Sequence, residues 1–331
     1  MSLLNINNLS VILETNKGPA RAVRNLSFRL EKGETLGIVG ESGCGKSMAA
    51  LALMGLLPER SKTEGQIKLD GQNLLEKDDQ EMCQIRGNRL AMIFQEPMTS
   101  LNPVHTVGNQ IMEPLRLHRN MSESDAKVET LRLLDRVGIP NPQARFDNYP
   151  HQLSGGQRQR VMIAIALSCQ PDVLIADEPT TALDVTIQDQ ILDLIQTLVR
   201  EEGMSLILIS HDLGVISENT DNILVMYGGA AVETGKTEQI FDELIHPYTQ
   251  GLFAAMPKLG RAKNRRLVTI PGTVPDLISM PMGCTFTDRC PLATEVCQNT
   301  PPPVVEVKSK HFVACHHLDE ARDRKTEELF S

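Results

Sequence analysis

The eight residues Gly40-Glu41-Ser42-Gly43-Cys44-Gly45-Lys46-Ser47 constrain this chain more than any other stretch. Residues 35–39 before them read as a strand, and residues 46–57 after them as an Ala-, Leu- and Met-rich helix halted at Pro58. A glycine-rich turn between a strand and a helix N-terminus aims backbone N–H groups at phosphate oxygens. Gly40, Gly43 and Gly45 allow the tight path, Lys46 brings positive charge to the β- and γ-phosphates, and Ser47 offers a hydroxyl to Mg²⁺. Glu41, Ser42 and Cys44 complete the loop. Such a loop belongs to an α/β sheet.

The rest of the chain agrees with that class. Residues 23–28, 65–69, 90–95, 173–176 and 205–210 read as strands, and 111–139, 161–169, 187–201 and 213–219 as helices. Strands alternating with helices imply an α/β sheet, and the helix-rich middle, about 85–165, reads as an inserted helical subdomain. The strand at 173–176 runs into paired acids, Asp177 and Glu178. At a sheet's carboxyl edge Asp177 can hold Mg²⁺ through water, while Glu178 is placed to polarise an attacking water. His211, after the next strand, can sense the γ-phosphate, and Gln95, at a strand end, can reach Mg²⁺ and the water. Taken singly, His211 and Gln95 carry little; their order along the chain carries the reading.

The formal net charge of −9 argues against nucleic acid as a partner, because no strongly basic face is implied. No apolar run approaches the roughly 18–20 residues that cross a bilayer, and the N-terminus lacks the pattern of a signal peptide. The expectation is a cytosolic chain that serves a membrane only through partners.

Between the loop and the acids lies Leu153-Ser154-Gly155-Gly156-Gln157. A phosphate loop, this segment and the strand-borne acids, in that order, resemble the ATP-binding cassette (ABC) ATPases over about residues 1–250. The resemblance implies a P-loop nucleotide-binding domain with a mixed sheet core and a helical subdomain, and a cofactor set of ATP and Mg²⁺ held by Ser47, Gln95 and Asp177. It implies catalysis by Glu178, His211 and Gln95. It also implies that Ser154, Gly155, Gly156 and Gln157 cap ATP bound to a second, head-to-tail cassette, where the helix's positive end faces the anion. Asp184, in Thr181-Ala182-Leu183-Asp184, matches the segment that crosses the dimer seam in that family.

Further motifs look like the oligopeptide and dipeptide importer branch: Gln95-Glu96-Pro97-Met98-Thr99-Ser100-Leu101-Asn102-Pro103, Tyr149-Pro150-His151-Gln152, His246-Pro247-Tyr248-Thr249-Gln250, Pro271-Gly272 with Val274-Pro275, and Arg289-Cys290-Pro291. The branch implies an ATPase subunit peripheral to the cytoplasmic face of a bacterial inner membrane. It would pair with a homologous ATPase subunit as a heterodimer beneath two permeases, fed by an extracytoplasmic binding protein. Nickel chelates, glutathione and antimicrobial peptides stand beside di- and oligopeptides as cargo. A non-transport ABC ATPase of DNA repair or translation is the alternative from another class; a redox-sensing protein that only binds ATP is a third. Two departures from the family stand out. Ile12-Leu13 occupies the place where many cassettes stack an aromatic on adenine, and Cys44 stands at a loop position often held by Ser. A thiol in that loop predicts block by alkylation and protection by ATP.

After residue 250 prolines break the helical pattern, so 251–331 reads as a loop-rich extension with four cysteines, Cys284, Cys290, Cys297 and Cys315. A loop-rich segment with little core needs a staple, and in a reducing cytosol metal is the expected one. Four thiolates suit zinc or a [4Fe–4S] cluster; some members of the resembled branch carry such a cluster here, and thiols that simply pack are the remaining reading. Cys83 and Cys169 read as packing residues. The basic cluster Lys258, Arg261, Lys263, Arg265 and Arg266 reads as a solvated linker, or as a contact with anionic lipid or a permease loop.

Overall fold

The computed structural model describes residues 2–181, 184–256 and 269–324. Its strands are β1 (Leu4–Thr15), β2 (Gly18–Leu30), β3 (Thr35–Val39), β4 (Ser61–Leu69), β5 (Gln72–Asn73), β6 (Leu90–Ile93), β7 (Val173–Asp177), β8 (Ser205–Ser210), β9 (Asn222–Tyr227), β10 (Ala230–Lys236), β11 (Val304–Lys308) and β12 (His311–Ala314). The chain divides into two compact units, one drawn from Met1–Leu30, Thr35–Leu75 and Ser210–Ser331, the other from Glu31–Glu34 and Glu76–Ile209.

In the first unit an antiparallel sheet runs in the order β2-β1-β4-β5. Along β2, Leu26, Phe28 and Leu30 are buried while Asn25, Ser27 and Arg29 face solvent, the period of two that a half-covered sheet imposes. β1 escapes the sequence reading because Asn5, Asn7 and Asn8 are poor strand formers. Pairing on both edges, with β2 and with β4, overrides that preference, and the register shifts between Ile6 and Leu9 absorb Asn8 at a φ of 49°.

A second group of strands in this unit pairs β3 parallel to β9, with Leu36 opposite Asn222. β10 is antiparallel to β9, β12 to β10 and β11 to β12. The region expected to be loop-rich therefore adds two strands and buries Phe286, Leu292, Val313 and Ala321, with Phe286 against Tyr227 and Tyr248 and Val313 against Ile245. The β11–β12 hairpin is short, half-exposed and turned at Lys310 with a φ of 61°, a weak signal in a sequence dominated by prolines.

The second unit holds β6, β7 and β8, parallel and buried along their length. Such runs read as continuous apolar stretches because helices cover both faces of a parallel sheet. The helical stretch expected over 111–139 is two helices, Val107–Arg119 and Glu123–Arg136. Asn120 ends the first in the left-handed region at φ 52°, and the Ser122 hydroxyl caps the second by accepting from Asp125 N–H at 3.2 Å. A third helix, Gly155–Leu167, packs against both. Among the described residues no helix is long and apolar enough to cross a membrane.

Candidate functional site

The phosphate loop leaves β3 at Gly40 and enters the helix Lys46–Met54. Two of its glycines are sterically required. A Cβ on Gly40 would lie 2.2 Å from the Met226 carbonyl oxygen, and one on Gly45, at φ 99°, would lie 2.2 Å from that of Ala22. Lys46 is buried, and its ammonium donates to the carbonyls of Gly40 at 2.7 Å and Glu41 at 3.1 Å. These carbonyls hold the charge at the mouth of the loop. Ser47 is half-buried at the start of the helix, and Ser42 and Gly43 are exposed.

Cys44 corrects an expectation. Its side chain has no exposure, and burial pushes the thiol pKa up, against the opposing pull of Lys46. A buried thiol with little thiolate is a packing residue, so Cys44 is not the accessible nucleophile that its place in the loop implied.

In the second unit β7 delivers Asp177, buried, and then Glu178. Glu178 has a φ of 45°, which a non-glycine residue adopts at a cost. Its N–H donates to the Ile209 carbonyl at 2.9 Å, which pins that backbone. Its carboxylate accepts from Gln95 Nε2 at 3.1 Å and from the Thr181 hydroxyl at 2.9 Å. Gln95 and Glu178 are thus brought together. Thr181, the first residue of the Thr181–Asp184 segment, joins them, and its sequence signal is its place three residues after the acid.

Ser154 is the N-cap of Gly155–Leu167. Its hydroxyl accepts from Gln157 N–H at 3.3 Å, and the Gln157 side chain accepts from Ser154 N–H at 3.1 Å, a reciprocal capping box. The hydroxyl keeps its own hydrogen to donate. A Cβ on Gly156 would meet Ile187 at 3.2 Å, so the helix approaches closely there. Asp184 is exposed at the N-terminus of Val185–Glu202, while Ala182 and Leu183 lie outside the described residues. His211 is exposed directly after β8.

The cysteine cluster does not stand as a metal centre. Among the described residues no group of three or more His, Cys, Asp or Glu could hold a metal ion, and all four cysteines are free. This region needs no staple because its cysteines pack into apolar clusters. Cys315 packs with Ile245 and Val313, and Cys290 against Leu292 and Ala321. Burial pushes the Cys284 thiol up to about 11 and that of Cys290 to about 12, and raises that of Cys315. The expected [4Fe–4S] cluster and its zinc alternative are not met among the described residues; these thiols pack.

Tyr248, Pro271 and Arg289 lie within branch motifs whose pattern alone implies no role for them. All three act near the loop: the Tyr248 hydroxyl accepts from Glu41 N–H at 2.9 Å, Arg289 pairs with the Glu41 carboxylate, and the Pro271 carbonyl accepts from Arg289 Nε at 2.8 Å. The basic cluster between Lys258 and Arg266 lies outside the described residues.

Comparison with known proteins identifies the family. The ABC transporter family matches residues 23–181, and the oligopeptide/dipeptide transporter C-terminal region matches residues 232–297. The oligopeptide transport ATP-binding protein OppD of Salmonella typhimurium is 49% identical over 91% of this chain and 89% of its own length. The dipeptide transport ATP-binding protein DppD of Bacillus subtilis is 49% identical over 96% of this chain and 95% of its own. Among solved structures, the ATP-binding cassette MJ0796 in a post-hydrolysis dimer bound to ADP and Pi superposes with a TM-score of 0.64, at 28% identity over 71% of this chain and 98% of that one. These relatives are named for ATP binding and peptide transport, which leaves the iron–sulfur expectation without support from the family. The chain belongs to the ABC transporter ATPases, in the branch of oligopeptide and dipeptide transport ATP-binding proteins.

Proposed function

We infer that this chain is the ATP-hydrolysing subunit of an ABC importer for oligopeptides or dipeptides. Family membership supports the activity. The observation that carries the chemistry is the Glu178 carboxylate, held between Gln95 and Thr181 on a strained backbone after a buried strand. In this reading the loop N–H groups of residues 40–45 and Lys46 bind the phosphates, and Glu178 orients and deprotonates the water. His211 reports the γ-phosphate, and Ser154, Gly155, Gly156, Gln157 and Asp184 serve the nucleotide of a second cassette. The donors Ser47, Gln95 and Asp177 suit Mg²⁺, since a hydroxyl, an amide oxygen and a carboxylate are the hard oxygen ligands it takes. When bound with ATP, the ion offsets phosphate charge.

The partners are two membrane permeases, an extracytoplasmic binding protein and a second, homologous ATPase subunit, with the chain peripheral on the cytoplasmic face. Residues 1–250 act as the cassette and 251–331 as an importer-type extension, which the family match at 232–297 supports. Glu178→Gln tests the reading. ATP turnover should fall by about 10²–10⁴-fold, and ATP-bound dimer should accumulate on size exclusion. Undiminished turnover would refute the role of Glu178. Recovery of only self-paired chains from the assembled transporter would refute the heterodimer.

A further inference from the structure

Three branch motifs without a part in the hydrolytic chemistry, His246-Pro247-Tyr248-Thr249-Gln250, Pro271-Gly272 and Arg289-Cys290-Pro291, converge on one phosphate-loop residue, Glu41. The Arg289 side chain is only 4% exposed. Its two terminal nitrogens donate to the two Glu41 carboxylate oxygens at 2.7 and 3.2 Å, a forked pair. The remaining donors are satisfied by the carbonyls of Pro271 at 2.8 Å and Ile270 at 3.3 Å and by the Tyr227 hydroxyl at 3.4 Å. The guanidinium also lies 5.7 Å from the Tyr227 ring centroid and 6.0 Å from that of Phe286.

Glu41 is held at every polar group. Its N–H donates to the Tyr248 hydroxyl at 2.9 Å, its carbonyl accepts from Lys46 at 3.1 Å, and its carboxylate takes Arg289. Tyr227, Tyr248 and Phe286 form a buried aromatic cluster beneath these contacts, with ring centroids 4.6 to 5.3 Å apart. Against an apolar replacement a buried ion pair adds little net stability, but it fixes geometry. Here the geometry is that of the loop. An unpaired carboxylate beside a triphosphate site would repel its ligand; paired to Arg289, it is neutralised and aimed away.

We propose that Arg289 of the C-terminal region is a positioning residue that clamps Glu41, holds the phosphate loop in its ATP-accepting path, and so lets the C-terminal region set the cassette's ATP affinity. The inference rests on the reading of the loop as an ATP site and adds a control to it.

The test is a double-mutant cycle on the full chain, with the ATP Kd read by calorimetry and the thermal midpoint read alongside. Arg289→Met should raise the Kd about tenfold, because it leaves the Glu41 charge uncompensated. Arg289→Lys should recover most of that loss. In a Glu41→Gln background the same Arg289→Met change should add less than about twofold, a coupling expected of residues in direct contact. An Arg289→Met protein that binds ATP within twofold of wild type overturns the clamp, as does full additivity of the two substitutions. If Arg289→Met fails to fold, the cycle of Arg289→Gln with Glu41→Gln, which also removes the positive charge, reads the same coupling, and additivity there overturns it equally. A wild-type chain that binds no ATP overturns the loop reading and the clamp together. Binding in wild type with no coupling overturns the clamp alone.

Discussion

Glu233 in β10 offers a stability test whose size follows from three hydrogen bonds. The residue is 1% exposed. Its carboxylate accepts from Ile245 N–H at 3.2 Å, from His246 N–H at 3.0 Å and from His311 Nε2 at 2.9 Å. The pair thus ties β12 to the turn that leads to Tyr248 and the phosphate loop. Glu233→Ala removes every one of those acceptors inside the core. An orphaned buried donor costs about 1–3 kcal/mol, so three give roughly 3–9 kcal/mol before relaxation. Water entering the vacated space offsets part of this, so a loss toward the lower end of that range, about 3–5 kcal/mol, is expected. Glu233→Gln keeps one acceptor and turns an amide N–H₂ toward a donor, for about half that loss. Urea unfolding followed by circular dichroism reads the change, and hydrogen exchange should quicken first in residues 245–248 and 311–314. For a unit of this size the midpoint should fall by about 2–4 °C per kcal/mol. A loss below about 1 kcal/mol for Glu233→Ala, or unchanged exchange in those segments, would refute the network as a support of this region.

His246 is buried and driven down to about 3 by desolvation, with Nδ1 accepting from Tyr248 N–H at 3.1 Å. Between its unfolded pKa of about 6.5 and 3 only the unfolded chain binds this proton, so stability falls as pH drops through that window by up to about 1.4 kcal/mol per unit. His246→Asn keeps a capping acceptor and should flatten the dependence by one proton; an unchanged slope between pH 5 and 7 would contradict the assignment. Cys44, buried with a raised pKa, should react with iodoacetamide far more slowly than exposed Cys83. Mass spectrometry of the time course decides this, and comparable labelling of both would show that the loop exposes its thiol.

The nucleotide motifs were legible because each uses local geometry that a short string encodes. Gly43 and Gly45 take positive φ in a tight turn, and Ser154 and Gln157 cap their own helix, so neighbours in sequence suffice. β7 and β8 were legible as apolar runs for the same kind of reason. β1 was not, since its asparagines are held by two neighbouring strands rather than by their own preference. The cysteines misled because the core around them is assembled from distant pieces: Ile245 meets Cys315, and Gln250 donates to the Ala321 carbonyl at 2.7 Å. Without those contacts a proline-broken tail looks as though it needs a metal.

The sequence by itself determined the α/β class, the order of phosphate loop, Leu153–Gln157 segment and acids, and through them the family. These depend on backbone paths spanning a handful of residues. Only tertiary structure decided that Cys44 is sealed, that Glu178 is held by Gln95 and Thr181, and that the C-terminal thiols lie in an apolar core. It alone joined Arg289 to Glu41 across 248 positions of chain. Burial and long-range pairing set protonation, access and charge compensation, and these belong to the packed neighbourhood rather than to a residue's place in the string.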